Sequence, residues 1–434
     1  MDWNKLLSTQ RLDTQGSAKP EDVRNDFHKD YDRIIFSPAF RRMGRKTQVH
    51  PLVNHDHVHT RLTHSLEVAS VGRSLGIKIG NYLLSKKVLP ELLSPHDVGA
   101  IVQAACLAHD IGNPPFGHAG EFAIRQWFQD NTEKLKLETL RERNDLEIFE
   151  GNAQGFRVVA TVENNFNEGG MRLTCATLGT IVKYPWFSDY KTAIDYGKYN
   201  FFQSEEASVK SVYETLGIEE VAGRYARHPL SYLMEAADDI CYKILDIEDA
   251  LELEMLRFDD IETIFQDLAG PLKQSSVANE LNYRRRISPM RANAIDNLVN
   301  QCEQIFIDNY NAIINGQFTS ELLRELRGKE GAALKEAKQI TEENIFLNKR
   351  KIELELGAYT TLETILNPFV HAINELKEGK VSFKSKRVLD LMGAQKFNPE
   401  ESYHDCYLRI TDIVSGMTDH HATYVANQLS GHAL

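Results

Sequence analysis

Apolar residues recur at helical spacing over 61–84, 96–110, 118–142, 229–256, 288–315, 320–340 and 358–378, and strand-like alternation is scarce. The pattern predicts an all-α globule, because a period near 3.6 gathers the buried side chains of each stretch on one helix face. Breakers fall between the stretches at Pro95, the Gly112 to Gly117 turn, Pro185, the His228-Pro229 step, Pro289 and Pro368. A chain of 434 residues accommodates one large domain with a helical extension, or two domains. Charge and motif density place a division near residue 260, giving a core over 1–260 and additional C-terminal helices over 261–434 packed on it.

No stretch approaches the roughly 20 continuous apolar residues of a membrane span, and the start, Met1 to Ser8, lacks the apolar region of a signal peptide. These features predict a soluble, cytoplasmic protein with no membrane partner. The five cysteines are scattered and never form a Cys-x-x-Cys pair, which argues against a disulfide framework and against a thiolate metal site. A net charge of -12 argues against coating nucleic acid by bulk charge, while leaving room for a local cationic pocket that takes a phosphorylated substrate.

The chemistry concentrates in residues 109–121, where His109, Asp110, His118 and Glu121 surround a turn that cannot continue a helix. His109 and Asp110 offer a nitrogen and an anionic oxygen to one divalent cation. His64 lies in line with Val68, Val71 and Leu75, and His109 with Val98, Val102 and Ala105, so both imidazoles extend buried stripes. A third apolar helix carries Glu235, Asp238 and Asp239, carboxylates that are costly there unless paired or metal-bound. Asp239 competes for the ligand role, but Asp238 shares a face with Tyr242 and Asp246. Each histidine alone is more often a satisfied core residue; three helices presenting donors point to one divalent ion held by His64, His109, Asp110 and Asp238. Mixed nitrogen and oxygen donors suit manganese, magnesium, iron or zinc.

The ordered series Asp2 to Leu12, Phe36 to Met43, Lys46 to Val49, Thr60 to Val68, His109 to Glu121, Phe149 to Gln154, Lys183 to Pro185 and Glu235 to Asp246 resembles the His-Asp (HD) domain phosphohydrolases, specifically the bacterial deoxyguanosine triphosphate triphosphohydrolase (dGTPase) family. A weaker echo is Ser415 to Asp419. The resemblance implies an HD-domain helical globule, assembled as a homo-oligomer, that cleaves a deoxynucleoside triphosphate to the deoxynucleoside and inorganic triphosphate. It implies that His118 and Glu121 are the catalytic pair and that Arg61, Asn113 and Lys183 lie near the phosphates. Gln48 and Asp246 match residues holding the sugar 3′-hydroxyl, and Tyr242 matches the ring against the deoxyribose. Guanine is the default base. A different HD hydrolase, such as a nucleotide 5′-phosphatase or phosphodiesterase, and a non-catalytic regulator that binds nucleotide or single-stranded DNA are the alternatives.

Other motifs carry blander readings. Alternating His55, His57 and His59 suit a polar connection or a pocket mouth, and Arg284-Arg285-Arg286 an exposed cationic loop, the alternative being a site for a regulatory nucleotide or single-stranded DNA. Arg41, Arg42, Arg45 and Lys46 either steer phosphates or pair with surface carboxylates. Phe116, Phe122 and Trp127 read as core packing, and 318–358 as a solvated helical hairpin supporting the fold or an oligomer contact.

Overall fold

A computed structural model describes residues 1–12, 25–48, 57–163, 170–270, 283–346, 348–393 and 397–432. Helices account for most of them, and the paired strands among the described residues are a two-residue hairpin, Glu220–Val221 against Arg224–Tyr225. None of the described helices is long and apolar enough to cross a membrane.

Three helices frame the site. The first, Arg61–Ser85, starts where Thr60 and Thr63 cap each other reciprocally and buries Val68, Val71, Leu75, Ile79 and Leu83 along the stripe that His64 begins. The second, Pro95–Ala108, opens on Ser94 with Pro95 at its first position and Asp97 bonding back, and it is buried over nearly its whole length. These two helices touch backbone to backbone: a Cβ on Gly76 would sit 2.8 Å from the Cα of Gly99, so glycine on both sides is what permits the approach. The third helix, Ser231–Glu252, crosses both and carries Asp238.

The helix expected over 118–142 ends earlier, at Asp130, because Asn131 and Thr132 turn their side chains back to the carbonyls of Trp127 and Phe128 and satisfy the last turn. A separate helix, Leu140–Glu147, begins at a Thr139-Glu142 capping box that the sequence displays. Pro289 and Pro368 are not breakers. They lie inside the helices Tyr283–Asp308 and Lys349–Lys377. An internal proline costs about 3 kcal/mol, whereas Ile365, Leu366, Phe369 and Val370 around Pro368 are all buried, and each such side chain contributes about 1.5–3 kcal/mol. Packing therefore outweighs the lost hydrogen bond.

Two apolar clusters make up the interior. One joins the N-terminal segment and the His64, His109 and Asp238 helices to chain as far as Ala337; the other joins the helix Gly117–Asp130 to Lys349–Lys377, Tyr403–Ser415 and Asp419–Leu429. Elements of both clusters line a single cleft.

Candidate metal centre and substrate cavity

His64 Nε2 lies 3.1 Å and His109 Nε2 3.4 Å from the same Asp238 oxygen, Oδ1, with the two imidazole rings 5.4 Å apart. One donor atom from each of the three residues falls within 4.8 Å of the others. The His109 tautomer follows from its surroundings: Nδ1 lies 2.7 Å from the Cys106 carbonyl, which only accepts, so Nδ1 carries the proton. Nε2 is then the nitrogen left to face the cluster, and it is buried without a hydrogen-bond partner. An orphaned, correctly oriented imidazole nitrogen beside a second imidazole and a carboxylate fits a divalent cation.

Asp110 stands beside this cluster. Its Oδ1 is 3.6 Å from His109 Nε2 and accepts from the Asn113 amide, while Oδ2 accepts from Arg61 at 2.5 Å. The structure thus brings three of the four expected ligands together and leaves the fourth adjoining, held by two other cavity residues. Burial opposes its ionisation, but Arg61, His109 and His64 hold the Asp110 carboxyl well below the usual range. Asp238 is likewise held low against burial, by Lys183, which donates to Oδ2 at 2.7 Å, and by His109. Asp239 turns instead toward Lys243 at 3.6 Å, and burial pushes its carboxyl up to about 6. Of the two carboxylates, Asp238 is the one that adjoins the two imidazoles.

A cavity of about 380 Å³ extends from the cluster, lined by Gln48, Arg61, Asn113, His118, Lys183 and Tyr242 among others. His64 and Asp246 lie behind its wall; the other expected site residues face it. The chain enters the wall through Phe116, a non-glycine residue in the left-handed region (φ 66°), and Gly117 (φ 58°), which turn the helix start so that His118 projects outward. His118 Nδ1 meets Glu121 Oε2 at 2.8 Å, and Glu121 Oε1 accepts from the Gly151 amide at 2.7 Å. Although burial works against it, the bond to His118 with the charges of His118, Lys198 and Arg125 holds Glu121 down at about 2. The pair is an exposed imidazole backed by a buried, fixed carboxylate, the arrangement a proton-transfer group needs.

The chain has extensive relatives among known proteins. An HD domain profile matches residues 61–177. A deoxyguanosinetriphosphate triphosphohydrolase-like protein of Pseudomonas aeruginosa is 47% identical across 99% of both chains, and one of Synechocystis is 38% identical across 100% of both. A deoxyguanosinetriphosphate triphosphohydrolase of Salmonella arizonae is 31% identical over 94% of each. The chain belongs to the HD-domain dGTPase-like family. HD-domain hydrolases bind divalent metals, and His64 and His109 lie within the matched span, with Asp238 brought to them from outside it.

In this dGTPase-like chain Tyr242 faces the cavity next to Asp246, whose carboxyl burial raises well above its ordinary range. The Gln48 and Asp246 side chains each keep one buried oxygen without a partner, Oε1 and Oδ2 respectively. Sequence reasoning missed Lys198, Glu150 and Asn152, although the last two sit in a segment quoted for the resemblance; Lys198 bonds Glu150 at 2.7 Å on the His118 side. It also missed Lys351 and Glu355. They belong to the stretch read as a solvated hairpin, yet both line the cavity, and Lys351 is 8% exposed near Asp246. A lysine at one helix face carries no local sign that another helix covers it.

Remaining motifs resolve individually. His59 lies between Asp249 (2.6 Å) and Glu67 (3.3 Å), His57 is outside the cavity lining, and His55 lies outside the described residues. Arg284–Arg286 form the start of a helix rather than a loop, with Arg284 paired to Glu252 and Arg286 to Glu262. In the basic run Arg42 reaches Glu163 at 3.8 Å, and Lys46 is buried beneath the cavity wall. Phe116 and Trp127 are buried as expected; Phe122 is 53% exposed with Arg125 stacked over it.

Proposed function

We propose that this HD-domain hydrolase cleaves a deoxynucleoside triphosphate, dGTP by default, to the deoxynucleoside and inorganic triphosphate. The observation that carries the reading is the orphaned Nε2 of His109, which meets His64 and Asp238 in a cleft that also holds the His118–Glu121 pair. His64, His109 and Asp238, with Asp110 adjoining, would hold the cation. When bound, it supplies Lewis acidity at the α-phosphate and lowers the pKa of water.

The chain's own groups do the rest. Arg61 and Lys183, with Asn113, hold the triphosphate against the acidic cluster that would otherwise repel it. Water adds to the α-phosphorus, the bond from phosphorus to the 5′-oxygen breaks, and the nucleoside leaves with a proton on that oxygen. His118 exchanges protons at this centre, with Glu121 fixing its ring. Tyr242 packs against C2′ and excludes a 2′-hydroxyl sterically, while Gln48 and Asp246, each with an unpartnered oxygen, hold the 3′-hydroxyl. The test is incubation of manganese- or magnesium-loaded protein with each of the four deoxynucleoside triphosphates, singly and in pairs, followed by chromatography. Nucleoside with triphosphate supports the reading. Orthophosphate release favours the 5′-phosphatase alternative, and binding without turnover favours a regulator.

A further inference from the structure

The C-terminal echo, Ser415 to Asp419, has no role in the mechanism above, yet it is built into the cavity wall. Asp419 is 2% exposed and uses both carboxylate oxygens: Oδ1 accepts from the Phe116 amide at 3.0 Å, and Oδ2 accepts from the Thr47 amide at 3.2 Å and from the Thr47 hydroxyl at 2.7 Å. Thr47 immediately precedes Gln48, and Phe116 immediately precedes Gly117 and His118. One carboxylate therefore spans the two strips of chain that carry the sugar-facing and the proton-transfer side chains. Lys46 reinforces the junction from beneath, donating to the Asn113 carbonyl at 2.6 Å and to the Ser415 carbonyl. Phe116 is also where the backbone adopts a left-handed conformation, which persists only when surrounding bonds hold it.

We infer that Asp419 is a positioning residue for the hydrolysis: it does not line the cavity, and it acts by holding Thr47 and Phe116 at the separation at which Gln48 and His118 face one substrate. The inference rests on the proposed function for the roles of those two side chains. Its physical basis is that charge-assisted hydrogen bonds to a buried carboxylate are short, strong and directional, so one residue fixes two backbones. Displacement by about 1 Å at the reacting groups costs on the order of 100-fold in rate.

The experiment uses full-length, metal-loaded protein carrying Asp419→Ala, Asp419→Asn or Thr47→Val, with deoxynucleoside triphosphate as the probe. Bound metal, circular dichroism, kcat and KM are measured together. In Asp419→Ala, kcat falls about 10- to 100-fold with metal stoichiometry unchanged. Asp419→Asn recovers part of it, because its single amide oxygen still accepts from Phe116, and Thr47→Val shows the smallest loss. Asn and Val variants that both keep kcat and KM within about twofold of wild type would overturn the inference. So would losses that only track the folded or metal-bound fraction. If the alanine variant does not fold, the other two decide. A wild-type protein that releases no nucleoside refutes the proposed function instead; hydrogen exchange at the Thr47 and Phe116 amides, slow in wild type and faster in Asp419→Asn at Thr47, then reports the latch by itself.

Discussion

Gly151→Ala tests how tightly His118 and Glu121, the proposed catalytic pair, are held. Gly151 is the first residue of a short helix, Gly151–Arg157, where alanine is ordinarily better than glycine by up to about 1 kcal/mol. Here the added Cβ would lie 2.5 Å from Glu121 Oε1 and closer still to Asn113 Oδ1. Since carbon and oxygen rest at about 3.3–3.6 Å, both side chains must retreat by roughly 1 Å. Glu121 would then lose its bond from the Gly151 amide and its alignment on His118, and Asn113 its bond to Asp110. Overpacking of this kind costs about 1–3 kcal/mol, which exceeds the helix gain, so thermal unfolding should move down slightly. The larger effect falls on turnover, a loss of about 100-fold in kcat, read by nucleoside release at saturating substrate with metal content measured in parallel. A variant with wild-type kcat and a raised melting temperature would refute the reasoning, because the two side chains would have relaxed without consequence.

Four further outcomes follow from the same geometry. Asp238→Asn should lose bound metal in equilibrium dialysis while Asp239→Asn retains it; the reverse result would reassign the ligand. His118→Ala should keep metal and substrate binding while kcat drops about 100-fold or more, and loss of metal would instead move His118 into the coordination sphere. His59, despite opposing burial, is raised to about 10 by its bonds to Asp249 and Glu67. A raised histidine stabilises fully below its unfolded value of about 6.5 and loses that contribution as pH climbs through 10, so the urea midpoint difference between wild type and His59→Gln should shrink across that window; a pH-independent difference would contradict it. Lys351→Ala and Glu355→Gln should change the ranking of the four deoxynucleoside triphosphates by kcat/KM, by about 10-fold for at least one base, since these residues supply a donor and an acceptor to the cavity wall; an unchanged ranking would remove them from base recognition.

Sequence alone determined the local half of this protein. The 3.6-residue period fixed the helical class and turned His64 and His109 inward, and the shared face with Tyr242 and Asp246 pointed to Asp238, the carboxylate that adjoins the two imidazoles. The separate helix that follows the early stop at Asp130 had a local signature in Thr139 and Glu142. Tertiary structure decided the rest. Whether three helices meet within ligand distance, whether Asp110 turns to the cation or to Arg61 and Asn113, whether Pro368 breaks a helix, and whether Lys351 is solvated or walls a cavity all depend on which faces pack together. The bond from Thr47 to Asp419 spans 372 residues, and that from Phe116 spans 303. Periodicity says which face of a helix is buried; it does not say what buries it, because that choice is made by the summed packing of many distant side chains rather than by any neighbour in the chain.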